Sequence, residues 1–292
     1  MSASAEPAVT SVEPSERLPL VSVCIPVYNT ERFIADAITS ALSQTYRDFE
    51  IVIVDNASTD TTPQRLARFS DPRIRVFRND ENIGAAGNFN RAVSLARGRY
   101  LKVLCADDVL YPSCVAQQVA IFEADARAEI AVVGCARDII DDRGKRRLRR
   151  RFPGRAGLID GSTAIGMTVR SGTNIFGEPA AILMRTAAAR AAGAFDPRYG
   201  FCLDLDLWCR LLGGGGFYAI DETLCGFRVS SQSWSVSLGR GQHREFARFV
   251  ADLHRRGVPL SAFDRASGRM RARVNAVLRQ GFTRVLFSGS RA

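Results

Sequence analysis

The chain has 292 residues, a formal net charge of +10, 46% apolar and 24% charged residues. That length can bury a full core, and the composition is that of an ordinary globular protein rather than a disordered or fibrous one. No run approaches the ~18 uninterrupted apolar residues of a membrane-crossing helix. Seven scattered cysteines without a C-x-x-C pair argue against a disulfide framework, and with only two histidines, His243 and His254, the chemistry must rest on carboxylates.

Residues Met1 to Pro19 carry Ser, Ala, Glu and Pro and lack the basic-then-apolar pattern of a signal peptide. A disordered leader (1–19) is expected, on a cytoplasmic protein that meets a membrane only peripherally, on its inner face. From Leu20 strands and helices alternate. Val21 to Val27 is a β-rich run ending at Pro26-Val-Tyr28-Asn29, and Thr30 then opens a helix with Phe33, Ile34, Ala37, Ile38, Ala41 and Leu42 on one face. Phe49 to Val54 forms the next strand and runs into the turn-rich Asp55-Asn-Ala-Ser-Thr-Asp60. A helix from Thr62 to Phe69, a strand from Ile74 to Phe77 and a helix from Ala85 to Ala96 follow.

A fourth strand begins at Tyr100 and stops on Asp107-Asp108 before Pro112. Two adjacent carboxylates at a strand end suit either a turn and helix cap or a divalent cation carrying a phosphorylated substrate. Strands joined by helices imply right-handed crossovers and a mostly parallel sheet. Ligands gather at the carboxyl ends of such strands, where Asn29, Asp55 and Asp107-Asp108 all fall.

The second half is less regular. Ile130 to Ile140 reads as a strand leading into Arg143–Arg155, which holds seven arginines, one lysine and no acid, so +8 of the formal +10 lies there. This is either a solvated loop or a patch for anionic lipid headgroups or the phosphates of a lipid-linked acceptor. Nucleic acid is not expected, because no aromatic-rich or helix-turn-helix pattern accompanies the patch. A helix over Ser162–Arg170, a strand over Ala180–Arg185, a helix over Asp204–Leu212 and a strand over Phe217–Ile220 follow. The four glycines 213–216 follow a helix, so they stop it rather than form a dinucleotide fingerprint. From Gly239 the chain reads as helical and Arg-rich.

Five stretches taken in order resemble the family 2 glycosyltransferases. They are Val21-Ser-Val-Cys-Ile-Pro-Val-Tyr-Asn29, Ile51-Val-Ile-Val-Asp-Asn-Ala-Ser-Thr-Asp60, Asn82-Ile-Gly-Ala-Ala-Gly-Asn-Phe-Asn90, Leu104-Cys-Ala-Asp-Asp-Val-Leu-Tyr-Pro112 and Asp204-Leu-Asp-Leu-Trp-Cys-Arg210. The resemblance implies an α/β fold of the GT-A type: a mostly parallel, Rossmann-like nucleotide-binding sheet flanked by helices. Its catalytic domain would span 20–238, with a nucleotide part over about 20–112 and an acceptor part over about 130–238, followed by a C-terminal helical extension over 239–292. It also implies sugar transfer from a nucleotide-sugar donor to a hydroxyl of a glycan or lipid-linked acceptor, with inversion and with Mg²⁺ or Mn²⁺ as cofactor.

Carried over by position, Pro26, Tyr28, Asn29, Asp55, Asn82, Gly84 and Asn90 would border the nucleotide, and Arg228 would hold the diphosphate. Asp107 and Asp108 would bind the metal, with Asp107 also facing the donor. Asp204 would be the catalytic base with Asp206 as runner-up, Arg210 would brace base or phosphate, and Glu178 would meet the acceptor. Three positions depart from the family pattern: Asn56 and Cys105 stand where acids are common and Ser230 where a histidine is common. Cys105 and Ser230 keep open a second reading, a non-catalytic nucleotide-sugar binder, and the basic charge keeps open a third, a basic membrane- or nucleic-acid-binding protein.

Overall fold

A computed structural model describes residues 18–230 and 241–288. Four apolar runs become the strands β1 (Val21–Val27), β2 (Phe49–Asp55), β3 (Ile74–Arg78) and β4 (Tyr100–Val103), laid parallel in the order β3-β2-β1-β4. The helices α1 (Ile34–Leu42), α2 (Thr62–Leu66) and α3 (Gly84–Leu95) make the crossovers. Every residue of β1 and β2 is buried, as their unbroken Val/Ile content requires of strands covered on both faces. Pro26 is tolerated inside central β1 because pairing with β4 has already ended at Cys24 and Val103. Only a glycine fits at position 98, where a Cβ would lie 2.5 Å from the Ser22 backbone nitrogen; this lets the chain enter β4 tight against β1.

The second half contains β5 (Val109–Leu110), α4 (Cys114–Glu123), β6 (Ile130–Ile140), β7 (Arg146–Arg150), β8 (Gly157–Ile159) and α5 (Gly161–Ser171). A 3₁₀ turn over Pro179–Ala181, β9 (Ile182–Arg185), α6 (Thr186–Ala191), α7 (Leu203–Leu212), β10 (Gly216–Arg228), α8 (Gln242–Arg255) and α9 (Ala262–Ser288) complete it. The sheet continues as β4-β9-β6-β10-β5. Because β9 is antiparallel to both β4 and β6, and β10 is parallel to β6, only β9 and β5 oppose the common strand direction along this path. The mostly parallel GT-A sheet is therefore present. Buried Lys102 ties its two halves together, donating to Gln118 Oε1 at 2.6 Å and to the Ala180 carbonyl at 2.7 Å, so its ammonium is satisfied without solvent.

β10 extends eight residues past the predicted Phe217–Ile220 strand, to Arg228. Asp221-Glu222 interrupts the apolar pattern, and the pairing with β6 shifts register on both sides of Thr223, which lets the strand absorb that interruption. The basic segment is not a loop: β7 folds back antiparallel on β6. Arg147 pairs with Asp141 at 2.6 Å and Arg151 with Asp221 at 3.0 Å, so the patch carries its own counter-charges. Helix α9 packs on α5 through Gly268 and Gly172, while Phe263, Met270, Val274, Val277 and Leu278 on its other side are exposed. Among the described residues no helix is long and apolar enough to cross a membrane. The leader through residue 17 and the expected domain boundary at 238 lie outside the described residues.

Candidate active site

The carboxyl ends of β1 and β2 form one wall. Asn29 follows β1 with a left-handed φ of 50°, which asparagine tolerates better than most residues. Its amide donates to Ser58 Oγ at 3.0 Å, and its Oδ1 accepts from the Thr59 amide at 2.8 Å. Asp55 is buried at the end of β2, where it accepts from the Ser58 amide at 3.0 Å and from Arg78 Nη1 at 2.6 Å. Asn56 Nδ2 reaches Asn82 Oδ1 at 2.8 Å, and that oxygen also accepts the Gly84 amide at 2.9 Å. The two loops are thereby locked together, with Tyr28 exposed beside them at 44%.

Asn90 is not part of this wall. Its side chain exchanges two hydrogen bonds with the Phe195 backbone, 2.9 and 2.8 Å long, and so ties α3 to the loop before α7. The amide under the strand ends is Asn88, two residues earlier, which donates to the last carbonyls of β1 and β2, Val27 (3.3 Å) and Val54 (3.0 Å). On α3, residues two apart face different directions.

The acidic centre lies between β4 and β5. Asp108 is fully buried; its Oδ1 accepts the Arg228 amide at 2.9 Å, while its Oδ2 is buried without a hydrogen-bond partner. Burial first, then the charge of neighbouring Asp107, pushes this carboxyl well above the ordinary carboxylate range. The Cys105 thiol is raised in the same way by burial and then by Asp108, Asp107, Asp204 and Glu178. Four carboxylates from three separate parts of the chain thus act on one thiol, which stays protonated and is a poor partner for a hard cation.

Arg228 turns out to support this centre rather than extend from it. It is 3% exposed, its Nε donates to the Asp107 carbonyl at 2.7 Å and its Nη2 pairs with Asp36 at 3.1 Å. Its guanidinium lies 4.6 Å from the Phe33 ring centroid. A guanidinium held in this way fixes the Asp107-Asp108 turn and is not presented to a diphosphate.

The two acids of α7 part company. Asp204 is half-buried, accepts from Asn174 Nδ2 at 3.0 Å and from the Leu205 amide at 2.7 Å, and is pushed up to about 7 by burial and then by the charge of Glu178. Asp206 is fully buried, with one oxygen on Arg210 Nε and the other on Arg256 Nη1, both at 2.8 Å. Asp206 is therefore a clamp between α7 and the end of α8, and Arg210 braces that clamp rather than the base. Replacing Asp206 with asparagine should cost about 3–5 kcal/mol, because it strands buried charge. Urea denaturation would check this, and below its midpoint the variant should keep the turnover that an Asp204 change removes.

Glu178 is bonded to the Nε of buried Arg137. Burial works to raise its carboxyl, but Arg137 and then Arg150 outweigh that and hold it below the usual range. Its neighbour in the same loop, Asn174, was absent from the sequence-derived set, as were Asn88, Arg78 and Arg137. Of these only Arg137 carries a local signal, a cation inside an apolar strand.

The sequence model described as Glycosyl transferase family 2 matches residues 22–191, more than half of the chain. The chain belongs to this family. The matched stretch contains Asn29, Asp55, Asp107, Asp108 and Glu178, while Asp204 and Arg228 lie past its end. The putative glycosyltransferase EpsE of Bacillus subtilis is 31% identical over 223 residues, covering 74% of this chain and 75% of EpsE. The chain spans 65% of the uncharacterized protein MT1568 of Mycobacterium tuberculosis, with 32% identity over 210 residues and 70% of this chain covered. UDP-Glc:alpha-D-GlcNAc-diphosphoundecaprenol beta-1,3-glucosyltransferase WfgD of Escherichia coli is 37% identical over 102 residues, 35% of this chain and 40% of WfgD. The fold matches S. aureus TarS 1-349 in complex with UDP-GlcNAc (TM-score 0.64, 17% identity, 88% of this chain and 72% of that one). It also matches the mannosyltransferase PcManGT from Pyrobaculum calidifontis in complex with GDP-Man and Mn²⁺ (TM-score 0.62, 17% identity, 96% and 82%).

No cluster of three or more His, Cys, Asp or Glu ligands exists among the described residues, so a metal here would not be caged by protein. The donor set still fits a hard cation. Mg²⁺ and Mn²⁺ prefer oxygen, and Mg²⁺ typically takes one or two carboxylates and completes its shell with substrate phosphate and water. The buried, unpartnered Oδ2 of Asp108 is an oxygen of that kind.

Proposed function

We propose that this family 2 member transfers a sugar from a nucleoside-diphosphate donor to an acceptor hydroxyl with inversion, as a step in polysaccharide or glycoconjugate synthesis. The observation that carries this reading is Asp204: a half-buried carboxylate poised near neutrality whose charge, like that of the Asp107-Asp108 pair, acts on Cys105. A general base works best when its pKa lies near the operating pH. Asp204 takes the proton of the attacking hydroxyl while Asn174 fixes one of its oxygens. Asp108 and Asp107 would hold Mg²⁺ or Mn²⁺, and the bound cation would supply positive charge to offset that of the departing nucleoside diphosphate.

On the donor side, Asp55 is placed to accept from the base, and Pro26, Tyr28, Asn29, Asn82 and Gly84 line its approach. The acceptor lies toward Glu178. Its class follows WfgD, named for alpha-D-GlcNAc-diphosphoundecaprenol, a lipid-diphosphate-linked sugar, and such an acceptor would bring the protein to the inner face of a membrane. The Arg143–Arg155 hairpin suits that surface through the arginines that Asp141 and Asp221 leave unneutralised.

The test is a screen of UDP-, GDP- and dTDP-sugars with Mn²⁺, following melting temperature and nucleoside diphosphate release. A true donor at 100 times its Kd should stabilise the protein by about 2.7 kcal/mol. Stabilisation by none of the donors would overturn the transferase reading.

A further inference from the structure

β6 and β7 place two arginines directly opposite each other, Arg137 and Arg150, an arrangement that like charges disfavour. One carboxylate, Glu178, answers both: it is bonded to Arg137 Nε, and its charge also acts on Arg150. A third guanidinium, Arg279 of α9, lies near enough for Arg150 and Glu178 to act on it. It is positioned by Thr173 Oγ1 at 3.2 Å and by the Phe201 ring, whose centroid is 4.7 Å away. Three guanidinium groups and the Glu178 carboxylate thus share a half-buried space.

The hydrogen-bonding capacity is also incomplete. Arg137 is 2% exposed, yet its Nη1 has no partner, and half-buried Arg150 makes no hydrogen bond or ion pair among the described residues. Burial lowers Arg150, and burial followed by repulsion from Arg150 brings Arg279 down to about 10. The guanidinium nitrogens of Arg137 and Arg150 that are taken out of water without partners are costly, and their fork geometry suits a multi-oxygen anion.

The location says which anion. Thr173, Asn174 and Glu178 belong to one loop, and Asn174 is the residue that holds Asp204. Among the largest charge influences on Asp108 the cation is Arg228. These guanidinium groups therefore lie on the acceptor side of the base.

We propose that Arg150, Arg279 and Arg137 form an oxyanion subsite that binds a phosphate or carboxylate carried by the acceptor, next to the hydroxyl that Asp204 deprotonates. This rests on the transferase reading above and specifies its acceptor class: an anionic sugar, either phosphoryl-linked or a uronic acid.

The test uses the full chain with UDP and Mn²⁺ present, so that the donor site is filled. Isothermal titration compares three probes: decyl-diphosphate-linked GlcNAc, a glucuronic acid-terminated disaccharide and neutral octyl β-GlcNAc. Wild type, Arg150→Gln and Arg150→Lys are measured, with melting temperature as the folding control. One anionic probe should bind wild type best and lose about 10- to 100-fold in Arg150→Gln, the range of hydrogen bonds to charged groups. Arg150→Lys should fall between, the neutral probe should change at least about tenfold less, and UDP affinity should hold. The anionic probe that responds identifies the source of the oxyanion. If wild type and Arg150→Gln treat all three probes alike, including by binding none, the subsite is wrong. If Arg150→Gln loses the anionic probe but wild type transfers no sugar from any donor, the subsite stands and the transferase reading falls.

Discussion

Asp204→Asn is expected to reduce sugar transfer by about 10²–10⁴-fold, the usual contribution of a positioned general base. Asparagine keeps the shape and can still bond Asn174 and the Leu205 amide, but it cannot accept the hydroxyl proton. Wild-type kcat should climb with pH through about 7, as Asp204 ionises, and then level; the residual rate of the variant should lack that step. Stability should move the opposite way. The folded carboxyl titrates near 7 and the unfolded one near 3.9, so the folded state binds the proton more tightly. That contribution is complete below the unfolded value and is lost progressively as pH rises to about 7. Asp204→Asn should therefore gain stability relative to wild type across this window. A variant with wild-type turnover and an unchanged pH profile would remove Asp204 from the chemistry.

Asp108→Asn should have the second large effect. Mutations of residues that merely support a metal ligand cost about 10–100-fold in affinity, so loss of a ligand should cost at least that. With wild type, Mn²⁺ together with UDP should raise the melting temperature and EDTA should abolish the rise. In Asp108→Asn the rise should be absent even though the apo protein folds, because the substitution relieves a buried carboxylate whose Oδ2 is unpartnered. An equal Mn²⁺-dependent shift in both proteins would place the cation elsewhere.

The parallel half of the sheet was legible because its signals are local. Unbroken Val/Ile runs, turn residues at their ends and apolar faces on the helices each need only a few neighbouring residues. Asn29, Asp55, Asp107 and Asp108 fall where those runs stop, so their place at the strand ends follows from strand direction. The family pattern put Asp204 ahead of Asp206, but the clamp role of Asp206 was not legible, since it depends on Arg256, fifty residues on. Arg228 looked like a free cation in sequence because Asp36, Phe33 and the Asp107 carbonyl come to it from far upstream. The opposition of Arg137 and Arg150 depends on strand register, which composition does not encode. Asn88 and Asn90 differ only in helical phase, and the family-like motif contains both.

The gathering of Asp107, Asp108, Asp204 and Glu178 around Cys105 has a consequence for the protein outside the reaction. Without a bound cation, a site of this kind would be held together against its own repulsion, with the rest of the core supplying the restraint. Alkaline buffer and chelators should thus shorten the working life of a preparation, whereas mild acid, which protonates the raised carboxyls, should prolong it. With cation and nucleotide in place that preference should weaken, because the same acids then have something to hold.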